Sequence, residues 1–357
     1  MQKPVTHSFR LLSVLLALSL TLVLAAGLTA CNTATPDRPS SSQWTEDYLE
    51  VMRLPPDEAE AALDDLINRA PNQEKAREAR FQKTSLTLRR GDIDAARQGF
   101  QKLWDDKNDD NIASRAIYEL ARIAAEHDED EQEARRLLTT AIVDTPPWAG
   151  SEFALDYLIR TERRASRTDE LTTHINSMAT AVNDDRMGAR LHLEHGLLLA
   201  DRPEQANAAL DAFRAAHKRC SECAATDDAL VAMAEVYTRH QSYGAAVQAL
   251  NIVANRTQRS FFVGTYSSHR ASDSRFALGE IELIYRRDYS AATGHFRTFI
   301  GDFPYDPRAD DAAWYLVEIE RESGSPRSHR RALQRFLRDY PESRHAPHAQ
   351  KRIEEMT

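Results

Sequence analysis

The sequence predicts an all-α array of about eight helix hairpins, and three observations lead there. A small-then-large apolar pattern with helical spacing recurs along most of the chain. Alanine, leucine, glutamate and arginine are plentiful, glycine numbers only 12 in 357 residues, and strand-like Val/Ile runs are missing, a composition that favours helix. Short polar turns separate the apolar segments at hairpin spacing.

Taken in chain order, the first element is a leader. Lys3 and Arg10 give it a basic start, and Leu11 to Ala26 is an almost unbroken apolar run. It closes on Leu28-Thr29-Ala30-Cys31, which resembles a bacterial lipobox. The resemblance implies a signal peptide over 1–30, cleavage before Cys31 and acyl chains on the Cys31 thiol. Two or more chains give stable membrane attachment where one is marginal. An uncleaved signal anchor is the competing reading, because roughly 18 apolar residues can just span a bilayer.

Residues 31–43 form a polar stretch that, after Cys31, has no apolar residue larger than alanine. It is expected to be a flexible tether with a reach of roughly 20 Å. In the enterobacterial sorting rule, Asp after the lipidated cysteine retains a lipoprotein in the inner membrane. Asn32 stands there, so the resemblance implies the outer membrane, facing the periplasm. Loss of the leader takes Lys+Arg from 46 to 44 against 55 acidic residues, a formal charge of −11. That balance argues against a nucleic-acid partner and against electrostatic attachment to anionic lipid, leaving the acyl chains as the membrane anchor.

The repeat region is expected over 44–357. Its pattern reads Ala59, Leu63, Leu66, Pro71, then Ala96, Phe100, Leu103, then Ala134, Leu138, Ala141, Pro146. Leu171, Ile175, Met178 and Ala206, Leu210, Phe213 follow, then Ala246, Leu250, Val253. The last two copies are Ala292, Phe296, Phe299, Pro304 and His329, Leu333, Phe336, Pro341. Steps between copies are 37, 38, 37, 35, 40, 46 and 37 residues. Spacings of four and three put the apolar residues on one stripe of a helix, and the proline ends that helix. A further helix precedes each copy, as at Ala79 to Arg89, Ala116 to Ala125, Leu230 to Thr238, Phe276 to Tyr285 and Ala312 to Ile319, with polar turns such as Arg90-Gly91-Asp92 between. A lone hairpin cannot cover its apolar face, whereas stacked neighbours bury it. Arg344 to Glu355 is expected as a terminal helix covering the last face.

Gly91-Asp92-Ile93-Asp94-Ala95-Ala96-Arg97-Gln98-Gly99-Phe100 resembles the turn and second helix of a tetratricopeptide repeat, as does Ala232 to Leu250. The resemblance implies a right-handed superhelical solenoid. Phe303-Pro304-Tyr305-Asp306-Pro307-Arg308-Ala309 and Tyr340-Pro341-Glu342-Ser343-Arg344-His345-Ala346 resemble the aromatic-Pro-x-Ser-x-x-Ala junctions of outer-membrane assembly lipoproteins of the BamD type. They also resemble the C-terminal repeats of the Tol-Pal-associated periplasmic coordinator.

Sites of chemistry are few. HExxH, GxxxxGK[ST], GxSxG and GxGxxG are absent from the sequence, so no catalytic residue, cofactor or metal ligand is assigned and the chain is not expected to be an enzyme. Glu322-Ser323 invites comparison with lytic transglycosylases, whose superhelical arms carry similar repeats, but Gly324-Ser325-Pro326-Arg327 after it resembles an inter-helix turn. Cys220-Ser221-Glu222-Cys223 follows a helix, the wrong end for thioredoxin-like chemistry. In an oxidising periplasm it reads as a structural disulfide between Cys220 and Cys223; free thiols, and a metal site with His217, are the alternatives. His192 and His195, and His345 and His348, are expected to be packed or solvated histidines. The step of 46 contains Arg256 to Arg270, three aromatics with three arginines in an acidic chain. Arg259, Phe261, Phe262, Tyr266 and Arg270 are candidate partner contacts, since such residues anchor interfaces; a longer turn with its phenylalanines folded back is the competing reading.

These features together lead to the expectation of a lipid-anchored periplasmic scaffold that presents a curved groove to an envelope protein or extended peptide. Its place would be in an outer-membrane assembly or envelope complex. A Tol-Pal or cell-wall machinery adaptor is the nearest alternative. An accessory or degenerate module of a peptidoglycan-processing enzyme is the rival of a different class. Paired, pKa-shifted carboxylates in a pocket would favour that rival, and a continuous open groove would favour the scaffold.

Overall fold

Polar side chains cap the start of eight helices, because the first turn of a helix leaves backbone N–H groups without partners. Ser40, Asn72, Asp92, Asp110, Asp130, Asp184, Asp288 and Ser325 each accept such a bond through the side chain. The computed structural model describes residues 39–106, 110–147, 149–260 and 264–356. The leader and Cys31 lie outside them. Seventeen α-helices are found among the described residues, none long and apolar enough to cross a membrane. The chain divides into two compact units, Met1–Arg90 and Gly91–Thr357, a division inside the expected repeat region.

In the first unit, α1 (Ser41–Val51), α2 (Pro56–Asn68) and α3 (Gln73–Arg89) pack in sequence. Helix α1 begins inside the stretch expected to be tether up to residue 43. Ser40 caps it by accepting from the Gln43 N–H at 3.2 Å, and Trp44 holds it down. The Trp44 ring is fully buried, and its Nε1 donates to the Leu66 carbonyl at 3.0 Å.

The second unit opens with α4 (Ile93–Asp105). Hairpins come after it: α5 (Asn111–Glu126) with α6 (Glu131–Val143), α7 (Ala149–Arg164) with α8 (Thr168–Ala181), and α9 (Asp185–Ala200) with α10 (Ala206–Arg219). Then come α11 (Ala224–Arg239) with α12 (Tyr243–Ala254), α13 (Ala271–Glu280) with α14 (Tyr289–Asp302), and α15 (Ala309–Ser323) with α16 (Pro326–Asp339). Helix α17 (Ala346–Glu355) packs on α16 and starts two residues later than expected from the sequence. The eight sequence copies fall on the even-numbered helices α2 to α16. Their helix positions are buried except Ala206 and His329, while Pro71 and Pro146 are partly exposed and Pro304 and Pro341 exposed. A 3-10 turn at Pro203–Gln205 leads into α10 and leaves Ala206 in its first turn, so Ala209 takes the small buried position.

Five of the turns from a first to a second helix share one device. Gly91, Glu129, Ser166, Gln241 and Arg287 all have left-handed φ between 54° and 86°, and only the first is glycine. The N–H after the left-handed residue reaches back to a carbonyl of the preceding helix: Asp130 to Ala124, Ser242 to Tyr237, Asp288 to Glu282. The last of these turns is preceded by a π turn, Ile281–Arg286, that extends α13.

The all-α expectation has one exception. Thr257–Ser260 (β1) and Gly264–Ser267 (β2) pair antiparallel, from Thr257↔Ser267 to Ser260↔Gly264. This segment lacks the three-and-four apolar spacing and combines the strand formers Thr257, Thr265 and Tyr266 with Gly264, which suits a short hairpin better than a helix.

Junctions from one hairpin to the next also share a construction. Before α17, the Ser343 carbonyl accepts from the Ala346 N–H at 2.9 Å and the Ser343 hydroxyl donates to Asp310 at 2.7 Å. His345 bonds Asp311 at 2.8 Å and stacks on Trp314 with ring centroids 5.0 Å apart. Before α15, the Asp306 carbonyl accepts from the Ala309 N–H at 2.9 Å, and Arg308 pairs with Asp273 at 3.0 Å while lying over the Phe276 and Phe299 rings. Before α13, the Ser268 carbonyl accepts from the Ala271 N–H at 3.0 Å and its hydroxyl donates to Asp227 at 2.5 Å. Arg270 donates to Asp228 at 2.6 Å.

Candidate binding groove

A broad concavity of the second unit lies along its first helices. It encloses about 970 Å³, and Arg163 of α7, Leu197 and Ala200 of α9, Val231, Glu235 and Arg239 of α11, and Asp273, Ala277 and Glu280 of α13 line it. Ile281, Ile284 and Tyr285 of the π turn complete its apolar wall. Second helices turn their small-and-large stripe inward. The first helices therefore have to bury one face against that stripe and leave another open.

The π turn matters to the shape of this wall. One extra residue per turn rotates the side chains beyond it, and Ile284 and Tyr285 end up half exposed at 50% and 48%. Tyr285 does not stand alone: its ring stacks on Tyr243 at 4.7 Å and 14°. An exposed isoleucine beside a braced tyrosine is the kind of rigid apolar anchor that interfaces use.

Charges in the groove are of both signs. Glu280 accepts from the Tyr315 hydroxyl at 3.0 Å. Burial holds the Glu280 carboxyl above its usual range, and burial together with Glu280 pushes the Tyr315 phenol up to about 12. Arg239 donates to the Ala200 carbonyl at 3.1 Å, which fixes its head at the rim. Among the described residues, two further carboxyls raised by burial are on α5 and α7, and each faces an arginine: Glu119 with Arg122 at 3.1 Å and Glu152 with Arg190 at 3.7 Å. Raised carboxyls thus sit on three different helices, each against a tyrosine or arginine, rather than as the facing pair that acid–base hydrolysis uses. The mixture of open groove and separately partnered acids suits binding.

Glu162 of α7 is buried, with 5% of its surface exposed. Burial pushes its carboxyl up, but hydrogen bonds from Arg167 at 2.6 Å and Arg135 at 2.8 Å outweigh that and hold it low. This is a structural clamp between α6, α7 and the turn into α8.

Of the candidate partner contacts, Arg270 lines the groove; it is tied to Asp228 at 2.6 Å and to Asp273 at 3.2 Å. Arg259 and Tyr266 lie on β1 and β2. Phe261 and Phe262 fall outside the described residues. The insert is not a free loop, because buried Asp227 holds both ends of its base through Arg256 and Ser268. Cys220 and Cys223 form a disulfide with Cα atoms 5.5 Å apart. His192 and His195 are partly buried on α9, and burial lowers both imidazoles. His345 and His348 pack on Trp314. Among the described residues no three His, Cys, Asp or Glu come together in a way that could hold a metal. Val231, Ile284 and Tyr285 were legible in the sequence only as helix residues outside the buried stripe.

No protein-family model and no curated protein matches the chain. Several solved structures are similar in backbone path. A signal-transduction ATPase with a tetratricopeptide-repeat sensor from Pyrococcus horikoshii is 13% identical, with a TM-score of 0.43, over 84% of this chain and 46% of that one. This chain therefore spans less than half the length of that protein. The human IFIT1 dimer with PPP-AAAA is 13% identical over 88% of this chain and 82% of its own, with a TM-score of 0.43. A chain of the APC/C hetero-tetramer Cut9-Hcn1 is 12% identical over 88% of this chain and 56% of its own, with a TM-score of 0.37. Likenesses this distant decide nothing about function, and the hairpin array stands on its own geometry.

Proposed function

We propose that the chain is a lipid-anchored periplasmic scaffold of an outer-membrane assembly or envelope complex, and that its first-helix groove binds a protein partner through an extended peptide. The observation that carries this reading is the groove itself: about 970 Å³ across four consecutive first helices, with an apolar wall that ends in the half-exposed Ile284 and Tyr285. A volume of this size holds a short peptide segment, and peptide grooves on helical arrays are built in this way. Attachment rests on Leu28-Thr29-Ala30-Cys31. The acidic balance of the chain leaves acyl chains on Cys31 as the anchor.

Photo-crosslinkers placed at Val231 and at Ile284 in intact envelopes test the groove. The reading expects a discrete protein adduct from both positions and its loss in Tyr285→Glu, with no such adduct from the exposed Ile252 on α12. Adducts from Ile252 with none from the groove would overturn it. Attachment is tested separately by mass spectrometry of the mature N-terminus. An acylated Cys31 is expected, with an unprocessed precursor in Cys31→Ala; an unmodified Cys31 or cleavage elsewhere sinks the anchor and leaves the groove untouched.

A further inference from the structure

The disulfide occupies a place in the fold that other repeats fill differently. The Tyr340 N–H donates to Phe336 at 2.8 Å, Ser343 to Tyr340 at 3.2 Å, and Ala346 to Ser343 at 2.9 Å. In the preceding junction the Phe303 N–H donates to Phe299 at 2.8 Å, Asp306 to Phe303 at 3.1 Å, and Ala309 to Asp306 at 2.9 Å. The segment after α10 repeats the same ladder: Cys220 to Ala216 at 3.2 Å, Cys223 to Cys220 at 3.4 Å, and Thr226 to Cys223 at 3.0 Å. Cys220 therefore stands where Phe303 and Tyr340 stand, and Cys223 where Asp306 and Ser343 stand. Ser221 takes the place of Pro304 and Pro341, and Glu222 matches Glu342. In the other two junctions proline limits the backbone. Here a covalent bond between the first and fourth residues does so.

The residues held by this junction lie directly downstream. The Thr226 side chain is fully buried and donates to the Cys220 carbonyl at 2.5 Å. Asp227 and Asp228 sit in the same helical turn. Asp227 pairs with Arg256 and accepts from Ser268 at 2.5 Å; Asp228 faces His269 at 3.1 Å and Arg270 at 2.6 Å. These four residues flank the β-hairpin on both sides, and the Ser268 N–H donates to the Arg256 carbonyl at 3.3 Å to close its base. The chain of contacts runs from disulfide to Cys220 carbonyl, to Thr226, to the two aspartates, to the hairpin base, without a gap.

We propose that the Cys220–Cys223 disulfide is a redox-controlled clasp on the β-hairpin, so that reduction of the disulfide loosens the hairpin where it meets the groove rim. Both cysteines are partly exposed. A small dithiol supplies the two electrons: one thiolate attacks a cysteine sulfur and forms a mixed disulfide, and the second thiol closes the reductant into its own disulfide. Cys220 and Cys223 each leave with a proton. With the covalent link gone, no proline restrains residues 220–223, and the Cys220 carbonyl that seats Thr226 is free to move. The proposal concerns the hairpin and stands whether or not the groove binds a peptide.

Hydrogen exchange of the full chain, oxidised and after dithiol treatment, tests it. Reduction should speed exchange of the Ser268 and Ala271 amides by roughly tenfold, the scale of a local opening. The Ala309 and Ala346 amides, at junctions without cysteine, should not change. Cys220→Ser with Cys223→Ser should behave like the reduced protein. The triple variant Cys220→Tyr, Ser221→Pro, Cys223→Ser, which rebuilds the Tyr-Pro-Glu-Ser junction of 340–343, should keep Ser268 and Ala271 protected with or without dithiol. Faster exchange confined to 220–226, with Ser268 and Ala271 unmoved, overturns the proposal. So does an equal acceleration at all the junctions, which would make the disulfide a general staple. Should the triple variant not fold, the reduced wild-type chain still decides between these outcomes.

Discussion

At Gly279 the backbone of α13 meets the face of Phe296, and a methyl group there would collide with the ring. Gly196 meets Phe213 in the same way, so a large second-helix residue of the repeat is seated on a first-helix glycine. Two opposing effects act on Gly279→Ala. Alanine favours helix by about 1 kcal/mol over glycine, while overpacking a filled core costs about 1–3 kcal/mol. The ring is fully buried and hemmed by Phe276 and Tyr315, so it has no room to yield. The clash wins, and Gly279→Ala should lower the thermal midpoint by a few degrees. Gly294, exposed in the interior of α14 with nothing near its missing Cβ, has only the helix term. Gly294→Ala should therefore raise the midpoint, and calorimetry on the pair checks both signs.

Elements end in a way that stores a small, removable cost. Glu129, Ser166, Gln241 and Arg287 carry side chains at left-handed φ, a conformation that costs an L-residue about 1–2 kcal/mol. Gly91 does the same task in the turn before α4 without that cost. Gln241 is exposed, so changing it to glycine disturbs no packing. After subtracting the extra entropy that glycine loses on folding, Gln241→Gly should stabilise by about 0.5–1 kcal/mol in urea unfolding, with an unchanged m-value. Gly91→Ala should do the opposite. Equal and opposite shifts would locate the cost in the turn itself rather than in the neighbouring helices.

Across the whole molecule, half-buried imidazoles make stability depend on pH. Burial lowers His174, His192, His195, His295 and His329 below the ordinary value of 6.5. As pH falls through 6.5, the unfolded chain takes up protons that the folded chain resists, so the folded state loses stability. The melting temperature should decline from near pH 6.5 downward. In the carboxylate range two effects oppose: Glu119, Glu152 and Glu280, raised by burial, protonate more readily in the folded chain and resist the decline, whereas Glu162, Glu126 and Asp306, held low by arginines, add to it. His192→Gln with His195→Gln should flatten the upper part of the curve and leave the lower part alone. A melting temperature constant from pH 7.5 to 5.5 would remove the histidines from the account.

The helices and their inward faces were legible in the amino-acid sequence. Steps of four and three residues at Leu63 and Leu66, or Phe296 and Phe299, act within one helix, and a stripe of that kind has one way to be covered in a hairpin array. Turn sites such as Gly91-Asp92 were equally legible, since a left-handed residue followed by a capping carboxylate is local chemistry. Tertiary structure alone decided the groove, the π turn that aims Ile284 and Tyr285 into it, and the hairpin at 257–267. It also decided the clasp that joins Asp227 to Ser268, residues 41 apart in the chain. No local periodicity specifies which exposed first-helix residues meet across neighbouring hairpins, because that depends on how each pair of helices packs. The correspondence of Cys220 with Phe303 and Tyr340 was hidden for the same reason: unlike side chains restrain the same turn, and only the shared hydrogen-bond ladder reveals them as equivalents.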